Sequence, residues 1–458
     1  MLKCAFYESD ITPLLYANMP GYFNERPGKD VKDKIYAKAI VAQGSNGVKV
    51  AMVSVEANFI TEEFCSIARK RIAKFSDIDP KHVTLSATHI HNGGPMVDWG
   101  KLVKSDAQYV RFAAQKAADA VLIANQHLQE CRVGYANGCV DDISFHRIYE
   151  MRDGTYQTNP GKYNPDIVKP YAGIDPDVTV MRADDKDGNP IGAVVNFACH
   201  QDCVGELAFS GDYSSQLSKR LKEAYGVDFV TVFFVGTCGN INHFDFMHRT
   251  REFYTNANPP HYKKMGQTLA GDVLRALAFI QTEETEALAV ENGAVAFASK
   301  TLSIKKRMVP KEEIPELKKI TRTVTLREDE EIGSQSDPDQ LKCVFAYDLL
   351  NYAKDPAKTK SVPVAFCRIG DNAFYLLPGE VFVQFGQKIK TTTPFKHRFI
   401  LTNSNGLFGY LPLRNLFMPT VYESKLGCTS YLEPEAGYKI TDAAIALADK
   451  EAELWQKK

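Results

Sequence analysis

The sequence predicts an α/β fold: a mixed central β-sheet layered with helices on both faces. Two observations carry that prediction. Short apolar runs rich in Val, Ile and Phe alternate with longer amphipathic segments between residues 37 and 280, the order expected of layered α/β proteins. The runs also end in polar or glycine-rich turns, where such folds place ligand sites. The chain has 458 residues, 44% of them hydrophobic, which is enough for a substantial core. The expected organisation is one domain over 1–458, with 300–345 inserted as a charged, mostly helical segment.

In chain order, Ser9-Asp-Ile-Thr-Pro13 reads as a turn. Residues 37–42 and 48–55 read as strands around Gly44-Ser-Asn-Gly47, and Glu56-Ala-Asn58 follows the second. Residues 61–74 form a helix with Phe64, Ile67, Ala68, Ile72 and Phe75 on one face and Thr61 as its cap. Residues 83–88 are a short buried strand that runs out at His89. In an extended chain residues i and i+2 share a face, so His89 and His91 leave the same side. An alanine-rich helix follows at 106–126. Strands at 132–139, 178–182 and 191–197 come next, and the last delivers Ala198-Cys-His200. Ser210-Gly-Asp-Tyr213 starts a helix reaching about Tyr225. Residues 229–235 are a very apolar strand ending in Gly236-Thr-Cys-Gly-Asn240, and 262–280 are helical.

Composition shifts near Lys300. The segment that follows holds Lys305-Lys-Arg307 and Glu328-Asp-Glu-Glu331, and such charge runs are ordinarily solvated faces. Strands at 362–369 and 373–377 then pair across Gly370-Asp371. Pro378-Gly-Glu380 opens a helix at 381–390. A strand at 398–403 leads into a loop carrying Tyr410, and the last helix covers 441–456.

Charge excludes some functions. Lys plus Arg number 55 against 56 acids, a net charge of −1, so no nucleic-acid partner is expected. No apolar run is long enough to span a membrane. The N-terminal stretch has acids within its first ten residues and no apolar signal core. The ten cysteines form no C-x-x-C and read as reduced structural thiols of a cytoplasmic protein.

The candidate chemistry sits at strand ends: His89 and His91, Arg147, His200, Glu380 and Tyr410. Two histidines and a carboxylate from separate strands can make a three-ligand zinc set with a position left for water. Each residue alone has a plainer reading. The histidines can bond backbone, Glu380 can sit at a helix N-terminus, Tyr410 can be a half-buried aromatic, and Arg147 can pair with an acid.

Several blocks, in order, resemble the catalytic domain of the neutral, non-lysosomal ceramidase family. They are Asp10-Ile-Thr-Pro13 with Gly21-Tyr22, Thr88-His-Ile-His-Asn-Gly-Gly-Pro95, Phe197-Ala-Cys-His200, Ser210-Gly-Asp-Tyr213, Gly236-Thr-Cys-Gly-Asn240, Pro378-Gly-Glu380, and Asn405-Gly-Leu-Phe-Gly-Tyr410 with Tyr422-Glu423. The resemblance implies a zinc amidase acting on a small N-acyl substrate. By it, His89, His200, Glu380 and Tyr410 bind the zinc, while His91, Arg147 and Tyr422 line the reacting group. The family has Asn-Arg where this chain has His146-Arg147, and commonly Gly-Asp where Asn240 stands. The immunoglobulin-like C-terminal domain of the secreted members has no counterpart, so a shorter relative is expected, with a ceramide-like or more polar substrate.

Zinc lowers the pKa of bound water to about 7. Tyr422 and Arg147 are candidate oxyanion donors, and His91 is the candidate proton carrier to the leaving amine. Ester or lactone cleavage at the same site is an alternative. So is a two-metal phosphoesterase drawing on His146 and His243, which needs carboxylates bridging two ions.

Overall fold

The computed structural model describes residues 1–283, 294–327, 337–370 and 372–456. The acidic run at 328–331 and Asp371 lie outside the described residues. Eight strands form one hydrogen-bonded series. In chain order they are β1 (Lys3–Asp10), β2 (Tyr36–Gln43), β3 (Lys49–Val55), β4 (Val83–Ala87), β5 (Gln129–Cys139), β6 (Asp177–Asp185), β7 (Pro190–Phe197) and β8 (Val230–Val235). Their spatial order is β8-β7-β6-β5-β1-β2-β3-β4. The β3–β4 and β7–β8 pairs are parallel, and the other pairs are antiparallel. The sheet is therefore mixed, as expected.

The join in the middle of this series is short. Only Lys3↔Glu130 and Cys4↔Gln129 pair across β1 and β5. The series folds back there, and β8 comes to lie against β2 and β3. The Ser54 hydroxyl on β3 donates to the Phe233 carbonyl on β8 at 2.5 Å.

A second sheet has the order β9 (Val295–Lys305), β10 (Thr359–Ile369), β11 (Asn372–Leu376) and β12 (His397–Leu401). Helices cover the outer faces. α1 (Glu62–Phe75) and α2 (Ala107–Gln126) pack on β1–β4. α3 (Asp212–Tyr225) and α4 (His261–Phe279) pack on β6–β8. After the short α5 (Ile314–Thr323) and α6 (Pro338–Tyr352), helices α7 (Val383–Thr392) and α8 (Ala436–Gln456) pack on the second sheet.

The opposite faces of β1–β3 and β5–β12 meet in one core, which includes Ile40, Met52, Val194, Phe234, Phe374 and Phe399. Each fully buried side chain of that kind contributes about 1.5–3 kcal/mol. The β8 residues are buried without exception, which explains an apolar run with no alternation. An α/β fold with a large mixed sheet and flanking helices is thus found, the helices lying on the outer side of the folded series. The arrangement inside them, with strands wrapped round a shared centre, is not visible in the sequence.

Three local readings differ. β1 is a central strand whose last residues, Ser9 and Asp10, read as a turn. Its sequence mixes charge with small residues, and only part of it is buried, so periodicity is weak there. Residues 300–305 belong to the edge strand β9, with Lys300, Thr301 and Lys305 exposed; charged open faces are usual on edge strands. Helices α5 and α6 follow it. Lastly, Glu380 does not open a helix. Glu380–Val381 pair in parallel with Tyr410–Leu411, and α7 begins at Val383. No helix among the described residues is long and apolar enough to cross a membrane.

Candidate metal centre

Strands from both sheets end at one place, and backbone bonds tie those ends together. Ile90 and Gln201, in the loops after β4 and β7, form a parallel bridge. The His91 N–H donates to the Gln201 carbonyl at 3.0 Å, and the Gln201 amide donates to the Thr88 carbonyl at 2.7 Å. Ser86 bridges Ser404, and the Asn403 N–H donates to the Gly379 carbonyl at 3.0 Å. The loops after β4, β7, β11 and β12 are thereby held in one cluster.

His89 sits in this cluster with φ at +70°. Left-handed backbone at a non-glycine residue costs about 1–3 kcal/mol and persists only where surroundings enforce it. Here the His89 N–H donates to the Ala57 carbonyl at 2.9 Å, and Nδ1 lies 3.0 Å from the Asn58 carbonyl. His200 is held the same way, with Nδ1 2.8 Å from the Ile241 carbonyl. A carbonyl only accepts, so in both rings the proton is assigned to Nδ1 and the Nε2 lone pair faces inward.

Both Nε2 atoms face the same carboxylate. Glu380 Oε2 is 3.1 Å from His89 Nε2 and 3.5 Å from His200 Nε2. The three side chains are almost fully buried, with exposures of 1%, 2% and 1% for His89, His200 and Glu380. Gly379, at φ +74°, lets the chain turn here; a Cβ on it would lie 2.4 Å from the Gly409 carbonyl oxygen. Neither Glu380 oxygen nor His89 Nε2 has a hydrogen-bond partner among the described residues. The unpartnered His89 lone pair and a buried carboxylate facing one another need a cation or a proton between them, while His200 Nε2 also has Arg147 NH1 at 3.2 Å. The ligand atoms of His89, His200 and Glu380 all lie within 4.8 Å of one another, and two imidazoles plus a carboxylate suit zinc.

Burial opposes charge on Glu380, yet the His89 and His200 rings hold its carboxyl well below the usual carboxylate range. Burial, reinforced by Arg147, brings His200 down to about 4. Tyr410 stands beside Glu380 through the parallel pairing, and burial followed by the Glu380 charge pushes its hydroxyl well up. An anionic Tyr410 ligand therefore requires a cation to replace its proton.

The other predicted residues surround this set. Arg147 Nε meets Glu423 at 2.6 Å, its NH2 donates to the Gly239 carbonyl at 2.6 Å, and its NH1 lies 3.2 Å from His200 Nε2. The guanidinium lies 5.3 Å from the Tyr410 ring centroid. Glu423 is completely buried and also accepts from Thr158 at 2.6 Å. The Tyr422 and Tyr410 rings meet edge to face at 5.8 Å. His91 lies 5.1 Å from His89 and 6.3 Å from His200, ring to ring. Neither His91 nitrogen has a partner among the described residues. Gly21 makes room for that ring, since a Cβ there would come within 2.7 Å of it. Phe345 of α6 stands 6.4 Å from Tyr422 and 5.4 Å from Phe23, so α6 flanks the site.

The structure thus gathers all seven predicted side chains. It adds groups that sequence reasoning did not assign: the Asn58 and Ile241 carbonyls, Gln201, and Glu423 as the partner of Arg147. Backbone acceptors leave no residue-type signal. Glu423 had one, its place beside Tyr422.

The chain superposes on the crystal structure of neutral ceramidase from Pseudomonas aeruginosa with a TM-score of 0.72 and 17% identity, over 98% of this chain and 75% of that one. A structure described as a ceramidase complexed with C2 matches at 0.67 and 16% identity, over the same shares of the two chains. This is the neutral-ceramidase fold. No protein-family model matches the chain, and no curated protein matches it in sequence.

Within that fold the two departures from the family blocks have a structural explanation. His146 Nδ1 lies 2.9 Å from the Ile148 carbonyl, and its Nε2 accepts from the Asn240 amide at 3.0 Å. Asn240 Oδ1 in turn accepts from the Val383 N–H at 2.8 Å. His146 and Asn240 form one buried link between the short strand Phe145–His146, next to Arg147, and the start of α7.

Proposed function

We propose that the chain is a zinc-dependent hydrolase that cleaves the amide bond of a small N-acyl compound, with His89, His200, Glu380 and Tyr410 holding the metal. The observation that carries this reading is the convergence of two imidazole Nε2 atoms on the buried Glu380 carboxylate. A fold shared with proteins described as ceramidases supports an amide as the substrate. Bound zinc supplies a Lewis acid that polarises the carbonyl and activates water.

The chain's own groups supply the rest. Burial keeps His91 neutral, with its pKa well below the ordinary value, so it can take a proton from the attacking water. It then passes that proton to the leaving amine. Arg147 is locked by Glu423 and Gly239 and serves as a preorganised donor to the developing oxyanion. Burial raises the Tyr422 hydroxyl, so it keeps its proton and donates as well. None of the ten cysteines is paired, which suits a cytoplasmic setting.

The test is turnover of a series of N-acyl amides of varied chain length and head group by chelator-stripped protein, before and after zinc is restored. Amide cleavage that returns with zinc supports the reading. Full turnover without metal, or cleavage of esters alone, overturns it.

A further inference from the structure

A second group of metal-type ligands lies behind the first and shares no residue with it. Cys203 follows His200 in the same loop, His243 follows the short strand Ile241–Asn242, and His261 begins α4. Their ligand atoms all lie within 4.8 Å of one another. His243 Nδ1 is 2.9 Å from His261 Nε2. His243 and His261 are 1% and 9% exposed, and Cys203 is half-buried.

The surroundings orient these atoms. Asp202 Oδ1 lies 2.8 Å from His243 Nε2. A carboxylate there places the ring proton on Nε2 and leaves the Nδ1 lone pair turned toward His261, the outer-partner arrangement common behind metal-binding histidines. The other His261 nitrogen, Nδ1, is buried with no partner among the described residues. Asp212 Oδ2 accepts from the Cys203 and Val204 N–H groups at 2.8 and 3.2 Å, which fixes the loop that presents the thiol. Phe244 lies 3.8 Å from the His243 ring and Tyr254 4.9 Å from the His261 ring. Met265, one helical turn after His261, approaches Cys203 Sγ at 3.2 Å. This apolar wall limits water around the donors.

We propose that Cys203, His243 and His261 bind a divalent transition metal of the zinc class, with Asp202 positioning His243. One sulfur and two imidazole nitrogens form a donor set that favours zinc or cobalt over magnesium or calcium. Binding forms one metal–sulfur and two metal–nitrogen bonds. The Cys203 thiol releases its proton to solvent. His261 moves its proton from Nε2 to the unpartnered Nδ1, so that Nε2 can coordinate. One proton leaves per metal bound. Burial and the neighbouring acids push the Cys203 thiol well up; coordination overcomes this, because a metal-bound thiol is deprotonated outright.

Cobalt(II) added to the chelator-stripped full chain tests this without reference to catalysis. A thiolate ligand gives an intense sulfur-to-cobalt charge-transfer absorption. The His89, His200 and Glu380 set contains no sulfur and cannot produce it. The expected result is a thiolate band in the wild type that persists in His89→Ala and disappears in Cys203→Ser, with bound cobalt falling by about one per chain in each variant. Absence of the band from the wild type, or its survival in Cys203→Ser, overturns the proposal. The wild-type spectrum needs no variant to fold. A failed amide assay with this band intact would count against the hydrolase reading alone.

Discussion

His91 and His146 are two imidazoles beside the same centre, and they differ in what their nitrogens touch. Burial lowers the pKa of both, His146 to about 4 and His91 well below its ordinary value. His146 has both nitrogens engaged, by Ile148 and Asn240. His91 has neither engaged among the described residues. A buried ring with both nitrogens in hydrogen bonds is fixed in one protonation state and holds structure together. One with free nitrogens can exchange protons with a reacting molecule. The partners of the two rings distinguish them, together with depth, since His146 is 2% exposed and His91 is only half-buried.

Variants can break that distinction, starting with the largest effect. His89→Ala removes a ring of the proposed metal set. Zinc content and amide cleavage should be lost together, well beyond the roughly 10–100-fold penalty of losing an outer partner. Metal analysis of the purified variant checks this, and full zinc occupancy would sink the ligand assignment. Next comes His91→Ala, expected to lower kcat by about 100- to 10,000-fold with zinc and melting temperature near wild type. An equal loss in zinc would mean that His91 is a ligand.

Tyr422→Phe removes only a hydroxyl. Steady-state kinetics should show about a 100-fold fall in kcat with KM little changed. If the variant instead loses zinc, the roles of Tyr410 and Tyr422 are exchanged. Glu423→Gln sharpens the contrast from the side of Arg147. Breaking this buried ion pair should cost about 3–5 kcal/mol of stability, visible in denaturant unfolding, together with a smaller loss of activity. The smallest catalytic effect belongs to His146→Leu. It should keep activity within a few-fold while costing about 1–3 kcal/mol for the polar groups left unpaired. A large kcat effect with unchanged stability would erase the difference between the two histidines.

Much of the fold was legible because it rests on local pattern. The apolar run of β8 and the alanine face of α2 bury what their periodicity says they should, and the capped helix α1 buries Phe64, Ala68 and Ile72 but leaves Phe75, at its last turn, 56% exposed. Thr61 accepts from the Phe64 N–H, as an N-cap does. β1 and β9 escaped because their residues alternate weakly or face solvent. The site residues were legible by type and by position at strand ends, and the resemblance to ceramidase blocks ordered them. The Cys203, His243 and His261 group was not, since no short spacing links its members.

The sequence by itself determined most of the strands, though not β1 or β9, and placed two histidines, a carboxylate and two tyrosines at or beyond strand ends. Tertiary structure alone decided that they meet. β4 and β7 are far apart in the strand order, and His89 and His200 come together only because the short β1–β5 join lets the sheet fold back on itself. It also decided which groups keep free lone pairs. Local sequence sets backbone preference over a few residues. Contacts between distant segments are set by packing of whole faces, and the partner of each buried nitrogen depends on that packing.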